Sequence, residues 1–235
     1  MLVLASNSPR RKQLLALGGW KFQVHPAEID ESPLPEEDPQ DYVLRMAEEK
    51  ARRVAQELEK SICQEAVIIA ADTTVVDTVY EQGEPRPIIL GKPADAREAE
   101  AMLRRLRGRT HQVLTGLAVL RGVDGEMLHD VCVTDVPMRN YSDEEMQAYI
   151  ASGDPLDKAG AYAIQNAAFH PVEGLTGCFA NVMGLPLCHV TRLLAYFDIF
   201  PEREIPQACQ EMLGVTCSIY EQAINPYPGK GSASV

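Results

Sequence analysis

Near its start the chain reads Leu2-Val3-Leu4-Ala5-Ser6-Asn7-Ser8-Pro9-Arg10-Arg11, a short apolar run followed by a helix start that carries two arginines. A continuous apolar run of this kind is typical of a strand buried on both faces of an α/β sheet. Ser8 is suited to cap the helix, and Pro9 to occupy its first position. The free N–H groups of the first turn and the guanidinium groups of Arg10 and Arg11 predict a phosphate site. A surface helix with two solvated arginines is the alternative.

A second buried strand is predicted at residues 67–71, an apolar run that leads directly to Asp72. Ligands in open α/β sheets bind at the carboxyl ends of strands. We therefore expect Asp72 to end this strand and to face the same site. A carboxylate in such a place must be paired, hydrogen-bonded or bound to a metal ion, unless it caps the turn that follows.

The remaining pattern predicts a mixed α/β sheet flanked by helices. Helix-capping residues and the glycines that end helices predict helices at about 9–17, 39–58, 95–107, 143–151 and 186–198. Asp38 is the expected cap of the second helix, and Ser142 with Glu145 is the expected capping box of the fourth. Residues 111–121 and 126–138 flank Asp124-Gly125 and predict a long hairpin, so antiparallel strands join the parallel ones.

Two segments predict irregular structure. Residues 81–87 are rich in glycine and proline and predict an exposed loop between strands. From residue 199 onward the sequence is interrupted by prolines and ends in Pro226-Tyr227-Pro228-Gly229-Lys230-Gly231-Ser232. We expect one domain over residues 1–198 and a C-terminal extension over residues 199–235 with a frayed, partly disordered tail.

Composition limits the partners of this protein. The chain has 235 residues, 46% of them hydrophobic, and a formal net charge of −12. Binding to nucleic acid or to an anionic membrane depends on accumulated positive charge, so neither is expected. No run approaches the roughly 18 apolar residues of a membrane span, and no signal-peptide pattern is seen, so we expect a cytoplasmic protein. A polyanionic substrate must then meet a local cluster of Lys and Arg.

The cysteines and histidines show no metal-binding spacing. The six cysteines are Cys63, Cys132, Cys178, Cys188, Cys209 and Cys217. Neither a zinc nor a redox site is predicted, and reduced, mostly buried thiols are expected. Whether Cys209 and Cys217 pair stays open. His111 is expected to be a structural histidine at the start of a strand.

Several charged residues have both a structural and a functional interpretation. Lys50 falls inside the apolar stripe of the helix at 39–58, where it either extends to solvent or meets a partner. Glu31 lies in an acidic loop in which Glu28 or Asp30 could replace it. Lys92 follows Gly91, and Lys158 precedes the small residues Ala159-Gly160. Small neighbours let both lysines approach a ligand closely. For Lys158 the alternative is an ion pair with Asp157.

Six ordered motifs resemble the Maf family of nucleoside triphosphate pyrophosphatases over residues 2–198. They are the opening segment, Ala70-Ala71-Asp72-Thr73, Gly91-Lys92-Pro93, Thr110-His111-Gln112-Val113-Leu114-Thr115-Gly116, Asp157-Lys158-Ala159-Gly160-Ala161-Tyr162-Ala163-Ile164-Gln165 and Asn181-Val182-Met183-Gly184-Leu185-Pro186-Leu187. The resemblance implies an elongated mixed α/β fold, similar to inosine triphosphate pyrophosphatases, with a cleft between two lobes. It also implies a homodimer that hydrolyses a nucleoside triphosphate to the monophosphate and pyrophosphate.

The resemblance also assigns roles to residues. Asp72 is the implied catalytic residue, either as general base or as a ligand of Mg²⁺ or Mn²⁺, with Glu31 as the second metal ligand. The implied substrate-binding residues are Ser6, Arg10, Arg11, Lys50, Thr73, Lys92, Lys158 and Gln165. Gly184-Leu185-Pro186 is expected only to shape a turn.

Substrate choice follows from the branch of the family that the chain resembles. The A-D-T and A-Y-x-I-Q forms resemble the branch acting on dTTP and UTP, with Arg10, Thr73 and Gln165 as the implied selectors. Asn166 departs from the glycine that the family commonly has after this glutamine. The alternatives are another or modified nucleotide, such as 7-methyl-GTP or CTP, and a non-catalytic nucleotide-binding regulator of cell division.

Overall fold

A six-stranded mixed sheet flanked by helices forms the centre of the fold in the computed structural model, which describes residues 1–81 and 83–224. The strands are β1 (Leu2–Leu4), β2 (Phe22–Val24), β3 (Val67–Glu81), β4 (Glu84–Leu90), β5 (Thr110–Arg121) and β6 (Met127–Pro137). The helices are α1 (Pro9–Ala16), α2 (Pro39–Glu57), α3 (Lys60–Glu65), α4 (Ala96–Leu106), α5 (Asp143–Ala151), α6 (Phe179–Val182), α7 (Leu187–Ala195), α8 (Ile205–Leu213) and α9 (Tyr220–Ile224). The mixed α/β prediction is confirmed.

The sheet is mixed because it contains both parallel and antiparallel strand pairs. The order is β2-β1-β3-β5-β6, and β4 pairs with β3 outside that path. β1 is parallel to both β2 and β3, whereas β3–β4, β3–β5 and β5–β6 are antiparallel. The hairpin around Gly125 is confirmed as the β5–β6 connection, in which the N–H of Gly125 donates to the carbonyl of Arg121 at 2.9 Å.

The alternation of side chains along the strands builds two apolar layers. Leu4, Ile69 and Leu117 belong to the larger cluster, which also contains buried residues of α1, α4, α5 and α7. Val3 and Ile68, one position away, pack instead with α2 on the opposite face. Because successive strand residues point to opposite faces, both faces of the sheet are covered by helices.

An interruption along one edge of β3 creates space for a site. β1 pairs with this edge only as far as Leu4 opposite Ile69, and pairing with β4 starts only at Val75, opposite Leu90, the last residue of β4. Among the described strands none pairs with this edge at residues 70–74, whereas β5 continues on the other edge. A cleft therefore opens between the β1 end and the β4 end of the sheet, and the segment that borders it contains Asp72.

The expectation that Asp72 ends its strand is wrong. β3 continues to Glu81, because Thr73, Thr74 and the valines that follow favour extended structure and pair with β5. The site lies instead where β1 ends and the neighbouring strand β3 continues. The carboxyl end of β1 still leads to the predicted helix start, with Ser8 as the cap and Pro9 in the first turn.

The predicted exposed loop at residues 81–87 is also wrong, since residues 84–90 form β4. Pro85 and Pro87 lie in this strand opposite Tyr80 and Thr78. A proline cannot donate a ladder hydrogen bond, but among the described strands β4 pairs with β3 alone, so its other edge needs no donor there. The helix caps Asp38 and Ser142 are as predicted, the latter in a capping box with Glu145.

The C-terminal extension contains helices in its described part. Ile205 at the start of α8 is 2% exposed, and Cys209 and Leu213 pack against the larger apolar cluster. The tail predicted at residues 226–232 lies outside the described residues. All six cysteines are free thiols, and only Cys132 is fully buried. No described helix combines the length and the apolar character that crossing a bilayer requires.

Candidate active site

The ten residues singled out for catalysis, substrate binding or metal binding all line one cleft of about 1190 Å³. They are Ser6, Arg10, Arg11, Glu31, Lys50, Asp72, Thr73, Lys92, Lys158 and Gln165. They come from the β1–α1 turn, the first turn of α1, the segment before α2, α2 itself, β3, the segment after β4 and the segment between α5 and α6. Their convergence is an observation, while their individual roles stay predictions.

A lysine bridging two carboxylates lies at the centre of the cleft. Lys50 Nζ lies 2.6 Å from Asp72 Oδ1 and 2.6 Å from Glu31 Oε1. The Lys50 and Asp72 side chains are 9% and 12% exposed, so this ion pair is largely removed from water. Lys50 therefore does not extend to solvent. Pairing with Lys50 offsets the cost of burying the Asp72 carboxylate.

Glu31 is the more exposed of the two carboxylates, with 52% of its side chain accessible. Partial burial raises the pKa of Glu31, but Lys50, Lys92 and Arg11 lower it, and the net shift is downward. Its loop is held by Tyr42 of α2, whose hydroxyl donates to the Glu31 carbonyl at 2.9 Å. Burial, with help from Asp72 and Glu31, raises the pKa of Tyr42 to about 12, so its hydroxyl stays protonated.

Arg11 is held by three different parts of the chain. Its Nε donates to the carbonyl of Gly184 at 2.8 Å, one Nη donates to Thr73 Oγ1 at 3.0 Å, and the other to Ser6 Oγ at 3.4 Å. Burial lowers the pKa of Arg11, the charges of Asp72 and Glu31 raise it, and the net shift is downward. The planar fork of arginine suits this arrangement, which fixes one edge of the cleft.

Two groups at this edge were not assigned a role in the sequence analysis. The expectation that Gly184 only shapes a turn is incomplete, because its carbonyl accepts from Arg11 and its φ of 107° favours glycine. Thr115 Oγ1 donates to the carbonyl of Asn181 at 3.2 Å and so accepts from the hydroxyl of Thr73 at 2.9 Å. A backbone acceptor has no sequence signal, so Gly184 could not have been identified beforehand.

Lys92 and Lys158 approach the cleft from the other side. Lys92 is exposed just after β4, and the N–H of Gly160 donates to the carbonyl of Gly91 at 3.0 Å, which joins the two lysine-bearing segments. Lys158 Nζ contacts Asp154 Oδ1 at 2.9 Å and Asp157 Oδ1 at 2.5 Å. The alternative pairing of Lys158 with Asp157 is therefore present, even though Lys158 lines the cleft.

His111 has a structural environment, as predicted. It is 3% exposed, and its Nε2 lies 2.8 Å from the hydroxyl of Tyr162, which lines the cleft. Its Nδ1 is buried without a hydrogen-bond partner. Burial lowers the pKa of His111 to about 4, so the ring is neutral at physiological pH.

The carboxylates of the cleft fit a hard divalent cation that is shared with a substrate. Among the described residues no group of three His, Cys, Asp or Glu could hold a metal ion by itself. Mg²⁺ characteristically takes one or two carboxylates, with phosphate and water oxygens completing its coordination. Glu31 and Asp72, both directed at Lys50 Nζ, supply two such oxygens, so the donor set is compatible with Mg²⁺ or Mn²⁺ only with a phosphate present.

The fold and the cleft define a class of protein: a mixed α/β protein whose cleft combines arginines and lysines with two carboxylates. The chain belongs to the Maf-like protein family, whose sequence profile matches residues 1–197. It is 47% identical over 195 residues to the dTTP/UTP pyrophosphatase of Anaeromyxobacter dehalogenans (strain 2CP-C), covering 82% of this chain and 92% of that protein. The dTTP/UTP pyrophosphatase of Geobacter sp. (strain M21) is 44% identical over 193 residues, with coverages of 82% and 93%.

A third relative extends further along the chain. The dTTP/UTP pyrophosphatase of Thermomicrobium roseum is 46% identical over 216 residues, covering 89% of this chain and 92% of that protein. Among solved structures, a nucleoside-triphosphatase (dITP/XTP pyrophosphatase) from Mycobacterium abscessus aligns with a TM-score of 0.35 and 14% identity, covering 60% of this chain and 75% of that one. The family assignment therefore rests on the sequence profile and the sequence relatives.

Proposed function

We propose that this protein hydrolyses dTTP and UTP between their α- and β-phosphates and releases the nucleoside monophosphate and pyrophosphate. The names of relatives at 44–47% identity support the class of enzyme, a nucleoside triphosphate pyrophosphatase. The observation that carries the proposal for this chain is the buried Lys50 bridging Glu31 and Asp72 within a cleft that also contains Arg10, Arg11 and Lys92.

The cations of the cleft are suited to a triphosphate. Arg11 is fixed beside Thr73 and Ser6, and Lys92 is exposed on the opposite side of the cleft. A tetraanionic triphosphate is repelled by a chain with a net charge of −12, so these local cations must supply the attraction. Such fixed positive charges also stabilise the negative charge that develops on phosphate oxygens during transfer.

Asp72 is the proposed catalytic residue. Its carboxylate is directed into the cleft and held by Lys50, so it can accept the proton of an attacking water. A bound Mg²⁺ or Mn²⁺ would supply charge neutralisation and polarisation of the phosphate and water oxygens. Glu31 and Asp72 are the residues that would hold it. Lys50 contacts both carboxylates and so orients them, and its charge helps to lower the pKa of Glu31.

Base selection is proposed for Gln165, with Arg10 and Thr73 nearby in the same cleft. A glutamine amide offers one acceptor and two donor hydrogens, which can match the donor and acceptor on a uracil or thymine edge. A site built in this way rejects other bases because its own polar groups are left unpaired. We further propose that the enzyme acts as a homodimer in the cytoplasm.

The test is a panel of nucleoside triphosphates with purified protein, with phosphorus NMR of the first products. We expect pyrophosphate and monophosphate, turnover that disappears on chelation of divalent metal, and the highest kcat/KM for dTTP and UTP. Orthophosphate as the first product contradicts the assigned chemistry. A preference for 7-methyl-GTP or CTP contradicts the base assignment while leaving the reaction intact. Nucleotide binding with no turnover favours the regulatory alternative.

A further inference from the structure

Asp154 is a residue outside the ten cleft positions that contacts both ends of the segment containing Gln165. Its Oδ1 accepts a hydrogen bond from Lys158 Nζ at 2.9 Å, and its Oδ2 accepts one from Asn166 Nδ2 at 3.1 Å. Lys158 and Asn166 bracket the residues that line the cleft as far as Gln165. A single carboxylate therefore joins the beginning and the end of this segment.

Tyr149 of α5 extends the same network to a third point. Its hydroxyl donates to Asp154 Oδ2 at 2.9 Å and accepts from the backbone N–H of Ala163 at 3.0 Å. The Tyr149 side chain is buried, and its ring stacks on Phe169 with centroids 4.2 Å apart. Gln165 thus lies between two tethered neighbours, Ala163 before it and Asn166 after it.

Asn166 completes the network from the other side. Its Oδ1 accepts from the backbone N–H of Phe169 at 2.8 Å while its Nδ2 donates to Asp154. Both ends of the Asn166 amide are engaged, so the position of the backbone directly after Gln165 is fixed. Partial burial raises the pKa of Asp154, but Lys158, Tyr149 and Asn166 lower it, and the net shift is downward. The carboxylate is therefore charged when it accepts these bonds.

We propose that Asp154, acting through Tyr149 and Asn166, is a positioning residue that fixes the backbone from which Gln165 extends for base selection, an inference that rests on the proposed function. Gln165 itself is exposed in the cleft, so its own surroundings do not fix it. Its amide can match a base edge only when the backbone that carries it is held in place, because a shift of the backbone moves the donor and the acceptor away from the base. The network supplies that restraint through the backbone on both sides.

The experiment compares Tyr149→Phe, Asn166→Ala and their combination with the wild type. Each removes one of the two hydrogen bonds to Asp154 Oδ2, and Asn140→Ala, at an exposed asparagine, is the matched control. We expect each single variant to reduce the ratio of kcat/KM between the best and the worst nucleotide by roughly tenfold, the size of effect that supporting hydrogen bonds around a site produce. Because both bonds act through one oxygen, the double variant is expected to lose little more.

Three outcomes would overturn the proposal. Equal losses for every nucleotide indicate a role in stability alone, additive losses in the double variant indicate two independent contacts, and an unchanged ratio indicates no role. Asp154→Asn, which keeps the shape of the side chain, replaces either variant that fails to fold.

A wild type without any turnover contradicts the proposed function and not the positioning role. Hydrogen–deuterium exchange of the amides of residues 163–165 then decides the matter, with faster exchange expected in both single variants. Unchanged exchange in both would overturn the positioning role as well.

Discussion

Asp72 and Lys50 form the pair on which the assigned chemistry depends. The Asp72 side chain is 12% exposed, and its Oδ1 lies 2.6 Å from Lys50 Nζ. Asp72→Asn keeps the shape but removes both charge and basicity. We expect kcat to fall by roughly 10² to 10⁴, the usual contribution of a general base, while calorimetry shows that nucleotide still binds.

The matched control for this change is Asp135→Asn, an exposed residue of β6 whose Oδ1 accepts a hydrogen bond from Gln112 Nε2 at 2.9 Å. The control variant is expected to keep wild-type turnover. Turnover near the wild-type rate in Asp72→Asn would remove Asp72 from the mechanism.

His111 makes folding stability depend on pH. Its pKa is lowered to about 4 from a usual value of 6.5, so the unfolded chain binds a proton at this position more readily than the folded chain does. The stability that neutral His111 contributes is complete above pH 6.5 and is lost as the pH falls towards 4. The loss is at most about 3 kcal/mol over this range, at about 1.36 kcal/mol for each pKa unit.

Urea unfolding of the wild type and of His111→Gln at pH 7, 5.5 and 4.5 measures this contribution. The variant is expected to be less stable at pH 7 but to lose less stability on acidification. Parallel curves for the two proteins would show that His111 titrates normally in the folded state.

Single residues were predictable from sequence where their type conflicted with their surroundings. Lys50 in an apolar stripe and Asp72 after an apolar run were both identified in this way, and both lie in the cleft. Tyr42 and Gly184 were not identified from the sequence. The Tyr42 hydroxyl donates to a backbone carbonyl, and Gly184 accepts through its own backbone carbonyl, so neither contact depends on a recognisable pair of side chains. Nor could the sequence show that Lys158 contacts Asp154 as well as Asp157.

At the scale of elements, the error at β4 has a definite physical cause. Gly83, Pro85 and Pro87 are turn residues by type, and they outweighed the apolar residues that follow. The strand forms because it lies at the edge of the sheet, where a missing N–H is tolerated. Whether a strand lies at the edge or in the centre depends on the whole sheet, so the edge position of β4 could not be deduced from this segment alone.

The contact between α2 and β5 places Lys50 in the cleft, and it depends on a glycine. A Cβ at Gly116 would lie 2.3 Å from the carbonyl oxygen of Val43 in α2. Gly116→Ala must therefore displace the helix backbone. We expect a loss of about 1–3 kcal/mol in the free energy of unfolding and a lower kcat, because Lys50 moves with α2.

Thermal unfolding with activity assays tests this expectation. Gly91→Ala is the control for stability, since a Cβ there has no atom within 4 Å. If Gly116→Ala melts at the wild-type temperature, the helix does not rest on the sheet at this point.

At the scale of the whole molecule, the site exists because two strands pair with different parts of one edge of β3. Pairing of β3 with β1 ends at Ile69, and pairing of β3 with β4 starts at Val75. The segment of β3 around Asp72 is therefore open to the cleft. The sequence predicted the mixed sheet and the strand–helix start correctly. It did not predict this interruption, because the course of β3 past Asp72 depends on pairing with β5 over residues 67–76 and with β4 over residues 75–81.

The C-terminal extension tests how far the catalytic unit reaches. All ten cleft residues precede residue 199, so truncation after Ile205 is expected to leave a folded, active enzyme. Its melting temperature should fall, because Cys209 and Leu213 of α8 pack against the core. Truncation after residue 224 is the control, since it retains α8 and α9.

The outcome of the truncation depends on a second cavity of about 670 Å³, lined by Gln165 and by residues of α8 such as Cys209 and Leu213. Removing α8 exposes one side of the segment that contains Gln165. If that segment is held by Asp154 and Tyr149, the truncated enzyme keeps its base preference and loses only thermal stability. If kcat/KM for dTTP falls while the fold survives by circular dichroism, α8 is part of the site, and the domain extends beyond residue 198.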